Sequence, residues 1–579
     1  MLKLFALLKP LRGSVAIVTV LALAQSVANL YLPRLMADMV DHGIVPGDRQ
    51  RILEVGGVML VVAVLGTLCA VAGSFFASKV ATGFGRMVRE RVFDRVSHFS
   101  VHQFDHFSTA SLITRTTNDT TQVQQVLLMV LGMAISAPMM AIGGVVLSLS
   151  QDTRLARVLI AIIPVLAVVF FVIMWKAVPL FQKMQVQIDQ LNLVIDEGLS
   201  GVRVIRAFDR GAHQSGRFDE ANRAVTGTAI SVNRLVALLM PAMFFMMNLT
   251  SVLIIWFGAV RIEAGQMQVG AMMASLQYAI QILFAVFMVT AVFVMLPRAA
   301  ASAERINAVL DVVPDVVDPA QPTDVASGFS RTMGKVEFQD VTFQYPGAEE
   351  PALTGVSFTA HPGEVTAIIG GTGSGKSTLA GLIPRFYDVH QGRVLVDGVD
   401  VRELSLADLR ARIGFVPQKA VLFSGTIASN ICFGPDPATD DEMRHAAAVA
   451  QAAEFIDQTA DGYDSPVSQG GTNLSGGQKQ RLAIARALVR RAEIYVFDDS
   501  FSALDFATDA RLRAALRADL TAATVFIVSQ RIGTVMNADR IVVLDDGRVA
   551  GMGTHAELLR SCEVYREIAE SQASLGDVA

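Results

Sequence analysis

Val365-Thr366-Ala367-Ile368-Ile369-Gly370-Gly371-Thr372-Gly373-Ser374-Gly375-Lys376-Ser377-Thr378-Leu379 decides the fold of the second half of this chain. The first five residues are an apolar, β-prone run. Gly370–Ser377 then fits GxxxxGK[ST], and helix-compatible residues follow. That strand–loop–helix order is the context in which this pattern cradles phosphate. Glycine lets the backbone N–H groups of Gly370, Gly371, Thr372, Gly373, Ser374 and Gly375 turn toward anionic oxygens. Lys376 supplies a point charge, Ser377 a hydroxyl for Mg²⁺, and the helix opening at Ser377 and Thr378 a favourable dipole.

Working outward, Ile494-Tyr495-Val496-Phe497 forms a second buried strand ending in Asp498-Asp499. Asp498 stands where a carboxylate orients Mg²⁺. Gln418, in Val416-Pro417-Gln418, is placed to approach the metal and the terminal phosphate. Tyr345, before Pro346-Gly347, is placed to stack on a base, although an ordinary surface tyrosine reads the same way. A third apolar run, Thr524–Val528, leads to Gln530. Leu474-Ser475-Gly476-Gly477-Gln478 opens a further helix with small and polar residues, which makes a second anion site. Two such helix starts in one domain suggest that the second serves a nucleotide held by another subunit.

The first half has a different composition. Overall, 52% of the 579 residues are hydrophobic and only 17% charged. Six runs reach about the length that spans a bilayer: 13–35, 55–76, 126–147, 158–175, 236–260 and 272–296, with Arg34 the one charge inside them. Six such runs are hard to bury in one soluble core. Short connections (36–54, 148–157, 261–271) alternate with long ones (77–125, 176–235), and the long ones carry the Lys/Arg excess. The positive-inside rule places those loops and both termini in the cytoplasm. Their helical periodicity extends the spanning helices well past the bilayer. Each is broken by small and polar residues, near 108–119 and 198–208. Propensity alone reads there a turn and a short helix, and a functional reading makes them short transverse helices touching the phosphate-binding domain. Asp38 and Asp41 read as solvated. The Met-rich runs 240–247 and 272–288 read either as lipid-facing packing or as an adaptable apolar pocket. Residues 301–335, with Pro314, Pro319 and Pro322, read as a linker before a domain at 336–579.

Several classes are excluded or disfavoured. Three cysteines without ligand spacing give neither a disulfide framework nor a metal site. A net charge of −5 argues against nucleic-acid binding by bulk charge. No small-residue cleavage site follows the first long apolar run, so a cleaved signal peptide is not expected.

Together, the phosphate loop, Gln418, Leu474–Gln478, Asp498 and Ser502-Ala503-Leu504-Asp505 resemble the ATP-binding cassette exporter family over nearly the whole length. The resemblance implies a half-transporter: a six-helix transmembrane domain (1–300) of the type I/IV exporter fold, fused to a cytoplasmic α/β nucleotide-binding domain. It implies ATP and Mg²⁺ as cofactors and an ATP-driven transport activity. It also implies a dimer with two nucleotides sandwiched between the loop of one domain and the signature helix of the other. Two positions depart from the family: Asp499 replaces its general-base Glu and Gln530 its switch His. Gln469 stands where exporters often carry Glu. Ser475, Gly476 and Gly477 are intact. The combination resembles the degenerate-site subunit of heterodimeric bacterial exporters. The expected partner is a second half-transporter carrying Glu and His, in the plasma membrane among lipids, with a hydrophobic or amphipathic cargo and no nucleic acid. An exporter-fold importer, as in siderophore uptake, and an ATP-gated regulatory or channel-like protein are the alternatives.

Overall fold

The computed structural model describes residues 2–133, 135–323, 334–434 and 438–573. Contacts divide the chain into two compact units, residues 1–95 with 110–311, and residues 96–109 with 312–579.

In the first unit, among the described residues, six helices are long and apolar enough to cross a membrane. We label them α1 (Arg12–Met39), α2 (Arg49–Ser97), α3 (Thr109–Gln151), α4 (Thr153–Ser200), α5 (Gly211–Glu263) and α6 (Val269–Leu310). The apolar runs mark only their middles. At 1.5 Å per residue, α2 and α4 are each about 70 Å long, roughly twice the hydrocarbon thickness. The charged loops are thus mostly helix continued beyond the membrane. Pro33, Pro164, Pro179 and Pro297 lie within these helices without ending them, as neighbouring helices in a bundle permit.

Three expectations are corrected in this unit and at its boundary. Asp38 and Asp41 are engaged rather than free in solvent. Asp38 pairs with Arg51 at 2.7 Å and with His42 at 2.9 Å. Asp41 accepts from the Gly270 N–H at 2.6 Å and so caps the start of α6 from a distant part of the chain. The linker does not begin at 301: α6 continues through Leu310 because Ala303, Ile306 and Val309, three residues apart, are all buried. The next stretch is non-helical to 323, and the expected linker residues 324–333 lie outside the described residues. The short helix in the first long loop is Val101–Phe107, just before the expected break. Ser100 caps it with a capping box, and Ser108, at φ 57°, ends it. Thr109–Asp119 instead joins α3, with a π-turn at Arg115–Asp119. The small polar residues there were misleading, because their hydroxyls bond back to carbonyls of the preceding turn, as Thr116 does to Leu112 and Thr117 to Ile113. In the second loop, Val202–Ala207 forms a separate short helix within the expected break.

Several polar groups inside this unit are paired across the helices, although Ser148 Oγ and Gln281 Oε1 are buried without a partner among the described residues. Asp119 is nearly buried, and Arg305 and Ser302 both bond to its carboxylate. Asp152 caps α4 and pairs with Arg261 at 2.9 Å. The Tyr278 hydroxyl, fully buried, donates to the Leu30 carbonyl and ties α6 to α1. The methionine runs divide: Met246 is buried, whereas Met240 and Met273 are exposed.

Gly270 sits at a close joint against backbone. A Cβ there would lie 2.3 Å from the Ala37 carbonyl oxygen and 2.5 Å from Asp41 Oδ2. Gly270→Ala is therefore expected to destabilise the membrane unit by about 1–3 kcal/mol, the usual range for overpacking. The check is a lowered thermal midpoint in detergent. Gly56→Ala, where nothing lies within 4 Å, serves as the neutral comparison.

The second unit is, among the described residues, an α/β domain of two large sheets and one small antiparallel pair, β7 (Gly425–Thr426) with β8 (Pro466–Val467). Strands β1 (Val336–Phe343), β2 (Leu353–Ala360), β4 (Gln391–Val396) and β5 (Val399–Asp400) form an antiparallel sheet in the order β2-β1-β4-β5. Strands β3 (Val365–Gly370), β6 (Ile413–Val416), β9 (Ile494–Asp498), β10 (Thr524–Val528), β11 (Arg540–Asp545) and β12 (Arg548–Gly553) form the main sheet, ordered β12-β11-β3-β10-β9-β6. All are parallel except the edge strand β12. β9 and β10 are buried at every residue, and β3 at every one but its first, as a sheet covered on both faces requires. The helix Val101–Phe107 belongs to this unit as well: Gln103 Nε2 donates to the Val313 carbonyl at 2.7 Å, and Ser100 Oγ to Asp315 Oδ2 at 3.1 Å.

Candidate nucleotide site

Strand register assembles the site. Val528 on β10 pairs with Ile368 on β3 and with Asp498 on β9. The chain leaving β3 (the phosphate loop), β9 (Asp499) and β10 (Gln530) therefore emerges at one edge, where open parallel sheets bind ligands. Residues separated by some 160 positions become neighbours through three buried apolar strands.

The loop has the required backbone. Gly373 and Gly375 have φ of +87° and +91°. A Cβ on Gly370 would fall 2.1 Å from the Leu544 carbonyl oxygen, so the turn out of β3 admits only glycine. Lys376 opens helix α7 (Lys376–Leu382), and its ammonium donates to the carbonyls of Gly370 at 2.9 Å and Gly371 at 2.5 Å. Burial lowers its pKa, opposed by the nearby charges of Asp499 and Asp498.

Ser377 Oγ donates to Asp498 Oδ1 at 2.9 Å. Burial raises the Asp498 pKa, with the Ser377 hydrogen bond and Lys376 opposing and Asp499 adding to the rise. A hydroxyl and a carboxylate at this distance are hard oxygen donors that fit Mg²⁺. Among the described residues, no cluster of three or more His, Cys, Asp or Glu forms a metal site. A metal here would thus complete its shell with phosphate and water oxygens, as Mg²⁺ usually does.

Asp499 sits in the left-handed region at φ 44°, held by its N–H to the Val528 carbonyl at 3.0 Å. Its Oδ2 accepts from Gln418 Nε2 at 3.3 Å. Gln530 Oε1 accepts from Thr372 Oγ1 at 3.4 Å, so the amide lies against the phosphate loop. The structure thus brings Gln418, Asp498, Asp499, Gln530 and the loop together. Tyr345 also joins them: its hydroxyl shares a 2.9 Å hydrogen bond with Thr378, and its ring meets Phe343 and Tyr387 edge-on. Burial pushes the Tyr387 hydroxyl up to about 12, with Tyr345 and Asp105 contributing.

Leu474–Gln478 lies elsewhere. Among the described residues, no hydrogen bond joins it to the phosphate loop. Ser475 caps helix α8 (Gly476–Leu488): its Oγ accepts from the Gln478 N–H, and Gln478 Oε1 accepts from the Ser475 N–H. Ser475 and Gly476 are exposed, which leaves this helix start open to a ligand from outside the domain. A Cβ on Gly477 would approach the Ala503 carbonyl to 3.3 Å, so the signature turn rests on Ser502–Asp505, just before helix α9 (Phe506–Asp519).

The chain matches two family models: ABC transporter transmembrane region over residues 15–286, and ABC transporter over residues 353–502. It is 44% identical to an uncharacterized ABC transporter ATP-binding protein of Mycobacterium tuberculosis, covering 98% of this chain and 97% of that one. The chain belongs to the ABC transporter family. It is also 30% identical to the ATP-dependent lipid A-core flippase of Chromobacterium violaceum, over 95% of this chain and 94% of the flippase. Among solved structures it resembles a bacterial Atm1-family ABC exporter with ATP bound, with a TM-score of 0.80, 28% identity, and 97% and 98% of the two chains covered. One transmembrane region and one ATPase domain in an exporter fold make it an ABC exporter half-transporter, and the α/β unit its ATPase domain.

Two residues at this ABC site escaped the motif reading. Arg531 places its guanidinium 6.0 Å from the Phe506 ring. Gln572, more than forty residues beyond the switch, bonds to the backbone on both sides of Arg531. No spacing pattern in the sequence points to it.

Proposed function

We propose that this chain is one subunit of a two-chain ATP-driven exporter. It holds ATP and Mg²⁺ at a slow site of its own and completes a faster site on its partner. The observation that carries the reading is the pair Asp499 and Gln530: both occupy the positions next to the phosphate loop, yet neither has the reach or chemistry of the residue it replaces. An Asp carboxylate is one methylene shorter than Glu, and it is here engaged by Gln418. The Gln530 amide donates a hydrogen bond to phosphate but exchanges no proton.

Within this site, the loop N–H groups and Lys376 bind the phosphates, Tyr345 stacks on the base, and Ser377, Asp498 and Gln418 hold the metal. Bound Mg²⁺ supplies charge neutralisation at the β- and γ-phosphates. Asp499 orients water poorly, so occupancy outlasts turnover. The exposed Leu474–Gln478 turn serves the partner's nucleotide. Both termini and the ATP-binding unit lie on the cytoplasmic side of the plasma membrane, a reading supported by the basic long loops.

The cargo reading is an amphipathic or hydrophobic compound. It is supported by a crevice of about 550 Å³ in the membrane unit, where Gln25, Ser74, Ser78 and Gln125 interrupt an apolar lining that includes Met129 and Met133. The similarity to a lipid A-core flippase favours a lipid-like cargo.

The test is ATP hydrolysis by the purified full-length chain in lipid nanodiscs, alone and with a half-transporter that carries Glu and His. Nucleotide binding with slow turnover alone, and vigorous hydrolysis with the partner, is the expected result. Vigorous hydrolysis by two copies of this chain would overturn the proposal.

A further inference from the structure

The last described helix, α11 (Glu563–Ala573), lies against the back of the switch. Its inner face is anchored by Tyr565, fully buried, whose hydroxyl bonds to His555 Nδ1 at 2.8 Å. Burial pushes that hydroxyl up to about 12, so it stays protonated and able to donate. Ile568 and Ala569 pack into the cluster of Ile532, Val535, Ile541 and Val543. The helix is thereby fixed relative to β11 and to the short helix α10 (Ile532–Val535) that follows the switch.

In its last turn, Gln572 reaches into the switch loop with both halves of its amide. Its Oε1 accepts from the Ile532 N–H at 2.8 Å, and its Nε2 donates to the Gln530 carbonyl at 2.7 Å. One side chain thus grips the backbone on both sides of Arg531. The Ile532 N–H is an orphan donor at a helix start, which needs such a partner. Among the described residues no second donor reaches the Gln530 carbonyl. Upstream, Ser529 is held to the sheet by its N–H to the Ile368 carbonyl at 3.1 Å. Gln530 is therefore suspended between two fixed points, β3 and α11. Its side chain, aimed at Thr372 of the phosphate loop, inherits its direction from both.

We propose that Gln572 is a positioning residue for the switch: it holds Gln530 over the phosphate loop, so that the C-terminal helix sets how strongly this site prefers a nucleoside triphosphate to a diphosphate. The inference rests on the reading of Gln530 as the γ-phosphate contact. A diphosphate leaves that contact unmade, so losing the clamp affects only the triphosphate.

The experiment compares binding of Mg²⁺–AMP-PNP and Mg²⁺–ADP to the full-length chain in nanodiscs. Gln572→Ala removes two hydrogen bonds and is expected to weaken AMP-PNP binding about 5- to 20-fold, with ADP affinity within about twofold. Gln572→Glu keeps the acceptor for Ile532 N–H but loses the donor to Gln530, and is expected to fall between wild type and Gln572→Ala. Gln530→Ala should reproduce the selective loss and leave Gln572→Ala nothing further to remove in the double variant. Equal weakening of both nucleotides by Gln572→Ala would show a merely structural helix and overturn the inference. So would a silent Gln572→Ala beside a selective Gln530→Ala, which leaves the γ-phosphate reading intact. If Gln530→Ala is silent too, that reading and the inference fall together.

Discussion

Asp499→Glu combined with Gln530→His is expected to raise ATP turnover by the full-length chain, assayed without a partner, by about 10²-fold. That is the lower end of what a positioned general base contributes. The Asp499 backbone is fixed independently of its side chain, by the left-handed φ of 44° and the N–H to Val528. Glutamate visits the left-handed region less readily than aspartate, so the same backbone is kept at a modest cost that the Val528 hydrogen bond opposes. The longer side chain carries the carboxylate past Gln418 Nε2, toward the space above the phosphate loop where an attacking water would stand. Gln530→His adds a ring nitrogen and a titration. With a pKa near 6.5 for an unperturbed imidazole, turnover of the double variant should acquire a pH limb in that region, absent with the amide. Asp499→Glu alone should give most of the gain and no such limb. Steady-state phosphate release between pH 5.5 and 8.5 measures both effects. No gain in the double variant would locate the defect outside these two positions.

What the sequence disclosed about this site followed from how each residue is held. Gly370–Ser377 was legible because phosphate chemistry dictates its residue types, and the positive φ angles of Gly373 and Gly375 are the physical reason. Asp498 and Gln530 were legible because one ends an apolar strand and the other follows one by two residues, and parallel strands deliver their ends to one edge. The spanning helices were legible from hydrocarbon length alone, but their ends were not. Residues beyond the bilayer no longer need to be apolar, so α2 and α4 continue with ordinary helix formers. The short helix at Val101–Phe107 was displaced from the expected break for a related reason: its bounds are set by the Ser100 capping box and by Ser108, whereas the more conspicuous Ser/Thr run folds as helix. Asp41 and Gln572 were illegible on principle. Each bonds to a backbone N–H far along the chain, Gly270 and Ile532, and a backbone partner leaves no pattern in residue types.

The second large effect concerns the exposed turn at Leu474–Gln478. In an assembly with a half-transporter that carries Glu and His, Ser475→Asp in this chain is expected to reduce total ATP turnover by about 10²-fold or more. Loss of a preorganised phosphate contact has effects of that order. Aspartate is chosen because it caps helices as well as serine does. Its carboxylate can still accept from the Gln478 N–H that Ser475 Oγ now serves, so α8 should keep its start. The unfolding midpoint should therefore stay near that of the wild type, while a negative charge is placed where the partner's γ-phosphate must dock. Asp499→Ala in this chain should cost less than about threefold in the same assay, since a site that turns over slowly contributes little to the total. The contrast between the two variants separates what this chain does for itself from what it does for its partner. If Asp499→Ala proved the more damaging, its own site would be the working one, and the Ser475 turn would not be the part of this chain on which turnover depends.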